Sequence, residues 1–196
     1  MTKIKSISIF CGAHTGKNPN FEKSAKIFTK IIAENNIDVV FGGGSVGLMN
    51  IISNVALEEG VKVTGILLKS LSDLELVNPN IHEKIETNSL LERKDEFMKR
   101  SDAFVVLPGG VGSMDELFEI LASNQLGIIN KPIGILNTDG YYNDLIAWFE
   151  KAIFEGFVSK KNFNEIIISD DPQKLAKMML AYERPDADSW KDRLGL

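Results

Sequence analysis

Short runs dense in Val, Ile and Leu alternate along this chain with longer stretches in which apolar residues recur three and four positions apart, and that alternation leaves few architectures open. Each short run reads as a buried strand, and each longer stretch as the helix that crosses to the next strand. A string of such units builds a parallel sheet with helices on both faces. The strand segments are Ile4 to Cys11, Asp38 to Phe41, Val61 to Leu68, Ala103 to Leu107, Ile133 to Leu136 and Glu165 to Ile168, with a short addition at Glu83 to Glu86. Helices are expected over Phe21 to Asn35, Val46 to Glu59, Leu90 to Arg100, Met114 to Leu126, Tyr142 to Glu155 and Gln173 to Ala181. Gly60 and Gly156 stand just past two helix ends, where only glycine takes the left-handed backbone cheaply. The expected fold is α/β, doubly wound, with a mostly parallel sheet. At 196 residues the chain suits one domain, over residues 1–183. The polar stretch from Arg184 to Leu196, broken by Pro185, is expected to be a tail, mobile or packed on a partner subunit.

Charge and cysteine content narrow the partners. A net charge of -5 leaves no broad basic field of the kind that neutralises DNA or RNA phosphates, so no nucleic-acid partner is expected. Cys11 is the only cysteine, which rules out an internal disulfide and fits a reducing cytoplasm. Two histidines, His14 and His82, cannot complete a structural zinc cluster, so no metal is expected. The apolar run Ile7 to Cys11 is too short for a signal-peptide core, and nothing approaches the length of a membrane span.

Two glycine-rich turns point to a ligand. Gly42-Gly43-Gly44-Ser45-Val46-Gly47 follows a strand and opens a helix, formally fitting the dinucleotide fingerprint G-x-G-x-x-G. It follows the second strand, not the first, and the next strand ends in Leu67, Leu68 and Lys69 where a dinucleotide site needs an acidic residue for ribose, so NAD(P) is disfavoured. Leu107-Pro108-Gly109-Gly110-Val111-Gly112-Ser113 again joins a buried strand to a helix. Its glycines admit close approach of a ligand, and the free N–H groups at the helix start favour an anion. Two such turns on neighbouring edges of one parallel sheet would form a concave phosphate site at the carboxyl ends of the strands. The bland alternative is a pair of tight connections.

On the helix that precedes the second turn, Leu90, Leu91, Phe97 and Met98 share an apolar arc of about 120°. Lys94 falls inside that arc and Arg93 at its edge. Lys94 either snorkels, with its stem packed and its amine in solvent, or reaches with Arg93 toward the anion.

With these residues in place, Glu92-Arg93-Lys94 and Leu107-Pro108-Gly109-Gly110-Val111-Gly112-Ser113-Met114-Asp115-Glu116 resemble the signature of the LOG (LONELY GUY) family, which pairs an R-K dipeptide with P-G-G-x-G-T-x-x-E. Similarity extends through Phe10-Cys11-Gly12, Gly42-Gly43-Gly44, Asn137 to Tyr142 and Glu155-Gly156-Phe157. These proteins are cytokinin riboside 5′-monophosphate phosphoribohydrolases, often labelled lysine decarboxylase-like. The resemblance implies a Rossmann-like fold, a homodimer, no cofactor, and hydrolysis of a nucleoside 5′-monophosphate, AMP or a cytokinin relative, to free base and ribose 5-phosphate. It assigns catalysis to Arg93 and Glu116, and ligand contacts to Lys94, Gly109, Gly110, Val111, Gly112 and Ser113, while Gly43 and Gly44 are expected at the ligand from the reading of the first turn. Ser113 stands where the family has threonine, and Ala13-His14-Thr15 replaces a serine-rich loop.

Two other functions compete at this level. Lys94 could form the Schiff base of a pyridoxal phosphate enzyme, and a Rossmann-like module can bind nucleotides without cleaving them. Glu116 also has a structural explanation, because Ser113-Met114-Asp115-Glu116 spells a helix capping box. Trp148, Phe149, Ile153 and Phe154 on one helix suggest more apolar surface than a single sheet face covers, consistent with a homodimer.

Overall fold

The computed structural model describes residues 4–71 and 77–183, and the tail expected from Arg184 onward lies outside the described residues. Seven strands, β1 (Ser6–Phe10), β2 (Asp38–Phe41), β3 (Val63–Leu68), β4 (Glu83–Thr87), β5 (Ala103–Val106), β6 (Ile133–Leu136) and β7 (Ile166–Ser169), form one sheet. Their order is β4-β3-β2-β1-β5-β6-β7 and every pairing is parallel. The connecting helices are α1 (Pro19–Glu34), α2 (Gly47–Glu58), α3 (Leu90–Arg100), α4 (Val111–Gln125), α5 (Asn143–Phe154), α6 (Lys160–Asn164) and α7 (Pro172–Leu180). The doubly wound expectation holds, and Gly60 and Gly156 take φ of 80° and 83° past α2 and α5 as read from the sequence.

Strand side chains alternate between two cores, as a pleat requires. Ile7 and Ile9 of β1, Val39 and Phe41 of β2 and Val105 of β5 pack under α1, α2 and α7. Phe10, Val40, Phe104 and Val106 point the other way, under α3 and α4 with Phe97, Leu117 and Ile120. Phe28, Phe41 and Phe104 are fully buried, each contributing on the order of 1.5 to 3 kcal/mol of transfer free energy. The apolar arc of α3 is only partly used: Phe97 is buried while Leu90 and Leu91 face solvent.

The winding places the site. From β1 the chain moves outward through β2, β3 and β4, then returns across the sheet by α3 to lay β5 on the other side of β1. The reversal opens a crevice between the carboxyl ends of β1 and β5, the position where open α/β sheets receive ligands. The two glycine-rich turns lie at the carboxyl edge of this one parallel sheet, on strands that are not adjacent. They follow β2 and β5 with β1 between them. Among the described residues no helix is long and apolar enough to cross a membrane.

Candidate active site

A cleft of about 480 Å³ fills this crevice. Its walls are the loop after β1 from Gly12 to Gly16, the turn from Pro108 to Ser113, and the rings of Phe21 and Tyr141, with Arg93 and Glu116 among its lining side chains. Gly12 ties two elements together: its N–H donates to the Pro108 carbonyl (3.1 Å), and its carbonyl accepts from the Leu48 N–H (3.1 Å).

Arg93 is held by the ends of two strands. Nε donates to the Ile66 carbonyl of β3 (2.9 Å), Nη2 to the Gly42 carbonyl after β2 (3.5 Å), and Nη1 to Glu116 Oε1 (3.0 Å). The guanidinium also lies over the Phe97 ring, 5.1 Å from its centroid. Gly42 is required here, because a Cβ would come within 2.8 Å of Nη2.

Glu116 is buried on the inner side of α4. Burial pushes its carboxyl up to about 7, against the pull of the Arg93 guanidinium, and the Asp115 charge adds to the rise. The capping-box explanation fails. α4 begins at Val111 with Gly110 as its N-cap and no side-chain cap, so Ser113 is the third helical residue and Glu116 lies beyond the first turn, bonded to Arg93. The serine half of such a box sits on α3 instead, where Ser89 Oγ accepts from the Glu92 N–H, while Glu92 Oε2 accepts from Asn88, one residue before the cap.

The second turn meets the cleft at the open start of α4. The first N–H groups of any helix lack intrahelical partners, and here no side chain covers them. Gly110, Val111 and Gly112 are exposed, and a Cβ at Gly110 or Gly112 would meet nothing. Gly109 is packed differently, with Ser113 Oγ where its Cβ would stand. Two adjacent tyrosines fix the turn from behind: Tyr142 Oη donates to the Leu107 carbonyl (2.7 Å) and Tyr141 Oη to the Gly109 carbonyl (2.6 Å). Burial raises the Tyr142 hydroxyl well above its ordinary range, so it stays a donor, and burial likewise keeps the Cys11 thiol neutral.

Arg93, Glu116 and Gly109 through Ser113 thus come together, whereas Gly43, Gly44 and Lys94 do not line the cleft. Gly43 takes φ of 86° against Leu67, and Gly44 pairs with Val77 and packs on Met49. Lys94 Nζ donates to Asp115 Oδ1 (2.9 Å) and Glu119 Oε2 (3.2 Å) instead of snorkelling freely. Sequence reasoning gave no role to Phe21, Tyr141, Tyr142 or Gly42. The only signal for the tyrosines was their place in the Asn137 to Tyr142 segment of the family resemblance.

An all-parallel doubly wound sheet with a glycine-rich turn and an uncapped helix start at its switch point defines a Rossmann-like α/β protein. The solved structures it resembles include a molybdenum cofactor binding protein from Rippkaea orientalis (TM-score 0.68, 21% identity, 91% of this chain and 96% of that chain) and a Moco carrier protein from Chlamydomonas reinhardtii (TM-score 0.66, 18% identity, 90% and 97%), a likeness of fold. Residues 49–179 match the family model described as "Possible lysine decarboxylase". Over 193 residues the chain is 37% identical to cytokinin riboside 5′-monophosphate phosphoribohydrolase LOG7 of Arabidopsis thaliana, covering 98% of this chain and 88% of that protein. It is 40% identical over 172 residues to a probable enzyme of the same name, LOG4 of Oryza sativa subsp. japonica, covering 88% and 75%. The chain belongs to the LOG family.

Proposed function

We propose that the protein hydrolyses the N-glycosidic bond of a nucleoside 5′-monophosphate, releasing free base and ribose 5-phosphate. The observation that carries this reading is the Arg93–Glu116 pair, 3.0 Å apart in a cleft whose rim is the uncapped start of α4. Relatives named as phosphoribohydrolases support it.

In the reaction, water adds at C1′ of the ribose, and the base leaves with the bonding pair and takes up a proton. Positive charge builds on the sugar ring as the bond breaks, as in glycoside hydrolysis. The Glu116 carboxylate faces that charge or takes the proton of the attacking water, and either use requires its ionised form. Arg93, fixed by two carbonyls, orients the carboxylate and sugar oxygens. The backbone N–H groups around Gly110 to Ser113 take the phosphate, remote from the reacting bond, so its binding energy positions the sugar. A pyridoxal phosphate decarboxylase fits poorly: among the described residues no lysine lines the cleft, and the Lys94 amine is held by two carboxylates on α4.

The protein acts in the cytoplasm, in line with its single buried cysteine. It also pairs with a second copy of itself. Support comes from exposed apolar side chains: Trp148 and Phe118, whose rings meet edge to face, and Phe154 and Phe157. Light scattering at micromolar concentration is expected to give a dimer mass, and a monomer mass contradicts it. The test of function is a product assay with AMP, GMP, CMP and isopentenyl-AMP. Free base and ribose 5-phosphate are expected from at least one of them, and no release from any refutes the assignment.

A further inference from the structure

Lys94 follows Arg93 on α3, yet its amine turns to α4 behind Glu116 and not into the cleft. Nζ reaches Asp115 Oδ1 and Glu119 Oε2 at 2.9 and 3.2 Å, carboxylates one helical turn apart that bracket Glu116 in sequence. The Lys94 side chain is only 18% exposed. With Phe10, Phe97 and Ile120 it shares with Glu116 and Glu119 a crevice that has no room for water. Asp115 and Glu119 keep 46% and 34% of their side chains exposed, so these two pairs are partly solvated, whereas Glu116 is buried and responds more strongly to a nearby charge than a group in solvent does.

The charged and titratable groups around Glu116 are few. α3 supplies Arg93 and Lys94, α4 supplies Asp115 and Glu119, the end of β1 supplies the neutral Cys11 thiol, and His14 lines the same cleft from the loop beyond. Without Lys94, the single cation Arg93 would face three carboxylates. We propose that Lys94 is a positioning residue: by binding Asp115 and Glu119 it ties α4 onto α3 and adds a second positive charge, beside that of Arg93, next to the buried Glu116 carboxylate. The idea deepens the hydrolase reading and rests on it for its kinetic arm only. Two signs follow. Removing Lys94 favours protonated Glu116, and removing the Asp115 charge, which pushes Glu116 up, favours the ionised form.

The experiment uses the full chain as parent, Lys94→Gln, Lys94→Arg and Asp115→Asn. It reads the pH profile of kcat and the KM with AMP, together with a 13C NMR titration of glutamate side-chain carboxyls. The Glu116 signal is identified by its absence from Glu116→Gln. Lys94→Gln is expected to move both the Glu116 titration and the acid limb of kcat to higher pH, lowering kcat at pH 7 roughly 3- to 10-fold while KM stays within about twofold. Lys94→Arg restores the parent profile, and Asp115→Asn moves it to lower pH. A KM for AMP raised about 10-fold or more with the limb unmoved overturns the inference and makes Lys94 a phosphate ligand. A lower melting temperature with titration and limb both unmoved also overturns it, leaving a purely structural pair. If Lys94→Gln does not fold, Lys94→Met, which keeps the packed stem and removes the charge, takes its place with the same expected and overturning shifts. A parent that cleaves no monophosphate removes the hydrolase reading, and the NMR titration still decides the role of Lys94.

Discussion

The two glycine-rich turns look alike as sequence and do different things in the fold. The turn after β2 is packed on every side: Gly42 makes room for Arg93, Gly43 for Leu67 and Gly44 for Met49, while a Cβ at Gly47 would overlap the backbone of Ala13 and His14. The turn after β5 is open, with nothing near a Cβ at Gly110 or Gly112 and a helix start left uncovered. Glycine in the first turn permits close packing, and in the second it leaves space for a ligand. The first turn thus shapes the site by holding Arg93, and the second is the one proposed to meet the substrate phosphate.

The largest effect expected of this division concerns the phosphate. If the open turn binds it, removing the 5′-phosphate should cut kcat/KM by about 100-fold or more, measured as adenosine against AMP. Equal turnover would leave the open turn without a ligand. Gly43→Ala should instead destabilise the fold by about 1 to 3 kcal/mol in chemical denaturation, because the left-handed backbone at φ of 86° and the Leu67 side chain both oppose a methyl group. Gly110→Ala is the matching change in the open turn. Its φ of -101° suits alanine, so stability should stay within about 0.5 kcal/mol. KM for AMP should nevertheless rise roughly 3- to 10-fold as the methyl crowds the phosphate. A Gly110→Ala protein that loses stability but binds AMP normally would erase the contrast.

A smaller effect lies in the pH dependence of stability. Folding raises the Glu116 carboxyl from an ordinary 4.5 to about 7 through burial, so the folded state binds the proton more tightly than the unfolded state does. That contribution is fully present below about pH 4.5 and is lost as pH rises through about 7. The difference in unfolding free energy between parent and Glu116→Gln should therefore move in favour of the parent as pH falls from 8 to 5. A difference that stays flat over this range would mean that burial does not perturb Glu116.

The fold was legible because its signals are local. Ile9, Val39 and Phe41 alternate with Phe10 and Val40 in the sequence just as they alternate between the two cores. α6 was missed because Lys160–Asn164 is five residues with one aromatic and no apolar period. The second glycine-rich turn and Arg93 were legible from local pattern, whereas Glu116 was legible only where the family motif named it. Which glycine of Gly42, Gly43 and Gly44 faces the cleft depends on β1 lying between β2 and β5, an order set by distant pairings. The bond from Tyr141 to Gly109 spans 32 residues and leaves no periodic trace. The Ser-x-x-Glu spacing caps α3 at Ser89 but not α4 at Ser113, because α4 starts two residues before Ser113, at Val111 in the glycine turn.

The central claim is that Glu116 is there for its negative charge. Adenine release from AMP by parent and Glu116→Gln, measured at pH 8 where the parent carboxyl is ionised, tests it most directly. The account predicts a loss of roughly 100-fold or more in kcat with the melting temperature held or raised, since the amide keeps the shape and removes a buried charge. Glu116→Gln turning over AMP at the parent rate would contradict it.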